Sequence, residues 1–125
     1  MLIELRKDDD RSVYRQIADE VCRAIAVGVL KVGDPLPATR QLAAEMKLNP
    51  NTVQHAYRTL LAEGVIEMRR GRGAFVAPQP RDTRRGPEVV ARQIAERALR
   101  EGFRHGILAS DLLKALQEIA PGSKR

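Results

Sequence analysis

The dipeptide Asn49-Pro50 constrains this chain more than any other feature. It interrupts "MKLNPNTVQHAY" (46–57), where apolar residues on both sides keep helical spacing. A proline inside a helix removes an N–H donor and clashes with the preceding turn, so no single regular helix runs through position 50. At the first position of a helix that N–H would have no partner anyway, and proline pushes the residue before it out of the helical region. Asn49 then serves as an N-cap, its side-chain oxygen accepting a free N–H of the first turn. Before the pair, residues 39–46 read as a short helix with Leu42, Ala43 and Met46 facing inward. After it, Val53, Ala56, Tyr57, Leu60 and Leu61 recur at i, i+3, i+4, i+7 and i+8 up to Gly64, an amphipathic helix. Two helices joined by Lys47, Leu48 and Asn49 make a helix-turn-helix.

The flanking segments extend this pattern. Val13, Ile17, Val21, Ala24 and Ile25 share one face of a helix over 12–28, with Ser12 as its N-cap and Gly28 at its end. "GVLKVGDPLP" (28–37) is a connector, with a short extended piece expected at 29–31. In "VIEMRRGRGAFVAP" (65–78) two strand-like runs, 65–68 and 74–77, flank a tip of three arginines and two glycines, and glycine permits the positive φ that a tight hairpin needs. Helix-turn-helix followed by a basic hairpin is a winged helix-turn-helix. "PQPRDTRRGP" (78–87) is a linker of mixed stiffness. Two further helices follow, at 87–104 with Val90, Ile94 and Ala98 on one side, and at 110–120 with Leu112, Leu116 and Ile119, capped by Ser110 and stopped by Pro121-Gly122. The fold expected is mainly α with a small β-hairpin: a winged domain at 1–78, a linker at 79–86 and a two-helix appendage at 87–125.

Charge and composition narrow the function. The formal net charge is +6, and residues 40–78 carry six Lys/Arg against three Asp/Glu, so the positive excess begins at the helix-turn-helix, as expected for a polyanionic partner. No apolar run is long enough to span a bilayer, and the opening "MLIELRKDDD" lacks the pattern of an export signal. The one cysteine, Cys22, cannot form an intrachain disulfide and fits a reducing compartment, as a small residue buried or half-buried. No nucleophile–base, phosphate-loop or dinucleotide motif is present, and His55, His105, Cys22 and the acidic run at 8–10 lack metal-ligand spacing. The chain reads as neither an enzyme nor a cofactor carrier.

The residues between the core positions suit nucleic acid. Asn51, Thr52, Gln54, His55 and Arg58 lie on the outer side of the second helix of the motif, and Asn and Gln hydrogen-bond base edges in the major groove. The helix N-terminus, with Asn49, favours a phosphate. Arg40 is a candidate phosphate clamp or base reader, and Arg69, Arg70, Gly71 and Arg72 suit a narrow minor groove or a pair of phosphates. The alternatives are a winged helix that docks a protein through the same surface, and a nucleic-acid binder without sequence preference.

Residues 12–76 resemble the DNA-binding domain of GntR-family transcriptional regulators, through "VYRQIADEVCRAIAVGVLKVGDPLPATRQLAAEM", "NPNTVQHAYRTLLAEGVIE" and "RRGRGAFV". "NPNTVQHAYRTL" with a short two-helix appendage is similar to the YtrA subfamily. The resemblance implies a cytoplasmic bacterial regulator, a homodimeric repressor on an operator with two-fold symmetry. It implies DNA contact by Arg40, by Asn51, Thr52 and Gln54, and by Arg70 and Gly71. Three positions depart from the family pattern: Pro50 stands where many relatives outside this subfamily have an arginine, Ala38 where a capping serine is usual, and Lys47 where glycine makes the turn. With so few residues after the linker, the stripes Val90/Ile94/Ala98 and Leu112/Leu116/Ile119 are expected to pair with a second chain, and any small-molecule effector is left unassigned.

Overall fold

The structure, a computed structural model, describes residues 12–79 and 85–120. The acidic run at 8–10, the middle of the linker and the Pro121-Gly122 stop lie outside the described residues. Two compact units meet in sequence at Gln79/Pro80.

The first unit contains α1 (Val13–Ala26), α2 (Thr39–Met46), α3 (Pro50–Ala62), β1 (Ile66–Arg69) and β2 (Gly73–Val76). Its core is assembled from one face of each element: Ile17 and Val21 of α1, Leu42 of α2, Val53 and Leu60 of α3 and Val76 of β2 are all below 2% exposed. Met46 packs half-buried against this core. The apolar series of α3 outlasts the core, however, for Leu61 remains 42% exposed. Cys22 is exposed too, contrary to the expectation for a small buried thiol. The buried face of α1 runs through Ile17, Ala18, Val21 and Ala24, and Cys22 lies past the edge of that stripe. Partial desolvation, Glu63 and Asp19 raise its pKa against the opposing effect of Arg15.

The two helices of the motif are separate, joined by Lys47, Leu48 and Asn49. Lys47 turns the chain in the left-handed region (φ 57°, ψ 46°), a conformation that costs a residue with a Cβ about 1–2 kcal/mol. Ala38 holds the N-cap position of α2 with no side-chain hydrogen bond.

The extended piece expected at 29–31 forms further on. The Lys31 N–H donates to Asp34 Oδ2 at 2.9 Å in a turn, and only then does the chain join the hairpin, with Gly33 N–H to Val76 O, Val76 N–H to Asp34 O and Leu36 N–H to Ala74 O, each 2.9 Å. Pro35 bridges Phe75 at this edge, where its missing donor is tolerated. The hairpin proper pairs Ile66 with Val76, Glu67 with Phe75, Met68 with Ala74 and Arg69 with Gly73. Arg70, Gly71 and Arg72 are therefore its loop. Arg72 N–H donates to Arg69 O at 2.9 Å and Gly71 has φ 71°, the arrangement of a type II turn that requires glycine at its third position.

The second unit is a helical hairpin of α4 (Pro87–Arg104) and α5 (Ala109–Ile119). Gly106 (φ 73°) closes α4, with Ile107 N–H reaching back to Gly102 O at 2.8 Å. The cap of α5 is not Ser110. Leu108 occupies the N-cap position, and its own N–H donates to Asp111 Oδ2 at 2.9 Å, the reach back of an acidic N3 residue rather than the bond expected of the serine. Gly102 is buried in this unit, and a Cβ there would lie 3.4 Å from both Ile107 Cβ and Leu112 Cδ1. Among the described residues of the unit no large apolar side chain is fully covered.

Candidate nucleic-acid interface

The start of α3 is built as its sequence demands. Asn49 is extended (φ −65°, ψ 129°) with Pro50 following in the first helical turn, and Asn49 Oδ1 accepts the Asn51 N–H at 2.8 Å. The oxygen of Asn49 is thus engaged on its own helix, which leaves the side-chain amide NH2 as its outward group. Thr52 and Gln54 are half-buried; Asn51, His55 and Arg58 are exposed.

These side chains divide around the helix. On one flank the His55 ring stacks on Tyr14 of α1, centroids 3.7 Å apart and planes 14° from parallel. On the other, Gln54 and Arg58 border a hollow of about 270 Å³ with Thr39, Tyr57, Leu61 and Met68. His55 therefore braces α3 against α1, while Gln54 and Arg58 face the hairpin side. A bond that sequence reasoning missed ties α3 to the segment leading into α2: Tyr57 Oη donates to Pro37 O at 2.6 Å. Burial of that hydroxyl pushes the Tyr57 pKa up to about 12. In the sequence Tyr57 reads only as a core position, and nothing local indicates where its hydroxyl goes.

The wing tip carries two arginines rather than three. Arg69 belongs to β1, its guanidinium lying 4.2 Å from the Phe75 ring centroid and its Nε 3.1 Å from Glu67 Oε2. Strand alternation explains this, because Glu67, Arg69 and the cross-strand partner Phe75 share one face of the hairpin. Arg70 and Arg72 stay exposed at the turn.

Ion pairing sorts the arginines of this unit. Arg15 meets Glu63 at 3.5 Å, Arg23 Nε meets Glu20 at 2.9 Å, and Arg69 meets Glu67. Among the described residues Arg40, Arg58, Arg70 and Arg72 are exposed and form no ion pair. They come from the first turn of α2, from α3 and from the wing, so these three elements carry positive charge without an ion-pair partner. Among the described residues no three His, Cys, Asp or Glu side chains could hold a metal ion, and no described helix is long and apolar enough to cross a membrane.

Two helices joined by a left-handed turn, then a basic two-stranded wing, define a winged helix-turn-helix protein. The family model for bacterial regulatory proteins of the gntR family matches residues 13–76, and the chain belongs to the GntR family of transcriptional regulators. It is 37% identical over 82 residues to the HTH-type transcriptional repressor YtrA of Bacillus subtilis, covering 66% of this chain and 63% of that one. It is 29% identical over 112 residues to the HTH-type transcriptional regulator YhcF of the same organism, covering 90% and 93%. Among solved structures it is similar to YtrA from Sulfolobus acidocaldarius, a GntR-family transcription factor, at 34% identity and TM-score 0.60, over 79% of this chain and 98% of that one.

Proposed function

We propose that the protein is a homodimeric, YtrA-type repressor acting in the cytoplasm, which reads an inverted-repeat operator with α3 in the major groove and the 69–73 wing in the adjacent minor groove. The observation that carries the reading is that, among the described residues of the first unit, Arg40, Arg58, Arg70 and Arg72 are exposed without an ion pair, on α2, α3 and the wing. Asn51, Thr52 and Gln54 take base edges, Arg58, Arg70 and Arg72 take phosphates or the minor groove beside Gly71, and Arg40 clamps the strand next to α2. Asn49, His55 and Arg69 support this surface from within the domain, Asn49 keeping one free NH2 for a phosphate. YtrA of Bacillus subtilis is described as a repressor, which favours that sign of regulation here.

Dimerisation falls to the second unit. Ile94 is 53% exposed, Leu116 58% and Ile119 53%, Ala98 is exposed, and Val90 and Leu112 are half-buried. A two-helix unit with this much uncovered apolar surface cannot supply its own core. Phe103, 78% exposed, joins these residues, one turn beyond Leu99 on α4. The reading domains of a two-fold dimer meet half-sites about 34–36 Å apart or a multiple of that. Selection of bound sequences from a random DNA pool tests the whole reading: an inverted repeat with that spacing is the expected outcome. Enrichment of no sequence, or of single half-sites by a monomeric chain, refutes it.

A further inference from the structure

The hollow beside Gln54 and Arg58 has a neighbour. A second hollow of about 270 Å³ lies under the wing, between the residues that lead into α2 and the Arg72–Ala74 stretch of the hairpin. Thr39, Tyr57 and Met68 line both, so the two hollows adjoin as one trough, with Arg58 lining one part, Arg72 the other and Met68 both. Met68 sits on the same hairpin face as Ile66, whose side chain is 3% exposed, yet is itself 59% exposed. It has passed beyond the core onto the trough floor, where Leu61 is a second large exposed apolar residue.

The charge around the trough states what fits it. Arg58 and Arg72 line its two parts without a carboxylate partner among the described residues, and the acids nearest in sequence, Glu63 and Glu67, are engaged by Arg15 and Arg69. Its occupant is therefore apolar against Met68 and anionic beside each arginine. A DNA strand has that composition, deoxyribose between phosphates. The trough also separates α3 from the wing, and the structure that separates a major groove from the adjacent minor groove is a sugar–phosphate strand.

We propose that this trough seats one strand of the duplex, with deoxyribose against Met68 and Leu61 and the flanking phosphates on Arg58 and Arg72. The inference rests on the docking proposed above, and adds a sequence-independent apolar contact that sets how deeply α3 enters its groove. Apolar contact releases no counterions, so it contributes affinity without changing the dependence on salt.

The test uses the full chain with Met68→Ala and Met68→Glu, titrated onto a selected operator and a random duplex across a range of salt concentrations. Both substitutions are at a largely exposed position, and circular dichroism verifies that each variant folds. Met68→Ala is expected to weaken both duplexes by the same factor, about 3- to 10-fold from the apolar area removed, with a salt slope equal to that of the unchanged chain. Met68→Glu is expected to weaken both further, by repulsion of the phosphates. If neither variant alters binding to either duplex, the trough lies off the DNA and an acidic, apolar peptide becomes its occupant. If Met68→Ala changes only the preference for operator over random duplex, Met68 reads bases and the strand seat is wrong. If the unchanged chain binds neither duplex, the DNA-binding reading fails and takes this inference with it.

Discussion

Removing a single oxygen from Tyr57 tests whether the helix-turn-helix is held as the structure has it. The hydroxyl is buried and donates to Pro37 O at 2.6 Å, two residues before the first residue of α2. Tyr57→Phe leaves the ring in place but deprives that carbonyl of its partner, which costs about 1–2 kcal/mol at neutral pH. The pH dependence is more discriminating. With a folded pKa raised to about 12 and an unfolded value of about 10, the folded state holds the proton more tightly than the unfolded state does. The contribution is thus fully present below pH 10 and is lost as pH rises from about 10 to about 12, at up to about 1.4 kcal/mol per pH unit. By pH 11.5 the loss amounts to roughly 2 kcal/mol, enough to cancel or reverse the advantage over Phe. Urea unfolding of both chains between pH 7.5 and 11.5, followed by circular dichroism, gives the difference directly, since every other titrating group cancels. A difference that stays constant across that range would refute the argument: the hydroxyl would then be solvated and the bond to Pro37 not made.

Three further outcomes follow from the same geometry. Ala38→Ser is expected to add about 1 kcal/mol by capping α2, read as a rise in unfolding temperature of roughly 4–8 °C for a domain of this size; no rise would mean that the first turn of α2 is already satisfied. Gln54→Ala is expected to cost about 1–3 kcal/mol at one or two base pairs of the operator, whereas Arg72→Ala should weaken all sequences alike and lower the salt slope by about 0.9 for each phosphate it no longer neutralises; titrations on operator and scrambled duplexes at several salt concentrations separate the two roles. Leu116→Asp, on the exposed apolar stripe of α5, is expected to convert dimer to monomer in sedimentation equilibrium and abolish tight binding to a two-half-site operator, and a variant that stays dimeric removes α5 from the interface.

Much of the backbone was legible because it depends on local rules. Asn49-Pro50 can be read only as a helix start, and Gly71 between two arginines only as a turn with positive φ. The left-handed Lys47 was legible only through the family resemblance, which places glycine there, since its own residue type argues against it. The errors have physical causes of their own. The extended segment moved from 29–31 to 34–36 because strand pairing there is chosen by the partner β2, not by the propensity of Val29 and Val32, both of which stay exposed. Ser110 lost the cap of α5 because the Asp111 carboxylate reaches back to Leu108 N–H, and one good acceptor is enough to set a boundary.

Side-chain partnerships were far less legible, and the candidate interface depends on them. Counting arginines places three at the wing. Strand alternation removes one, because Arg69 shares a face with Glu67 and Phe75 and is held there by an ion pair and an aromatic ring. The same accounting identifies His55 as a brace, through its stack on Tyr14, although by spacing alone it is equivalent to Asn51 and Arg58. In this unit the carboxylates Glu20, Glu63 and Glu67 neutralise arginines away from the exposed side of α3 and the wing tip, on pairs that come from chain folding as well as from sequence neighbours. The positive excess that begins at the helix-turn-helix in the sequence is thereby sharpened in the fold, where Arg40, Arg58, Arg70 and Arg72 keep no ion pair among the described residues. Unopposed arginines of this kind attract a polyanion, so the charge this unit presents is shaped by where its acidic residues are engaged as much as by where the basic ones stand.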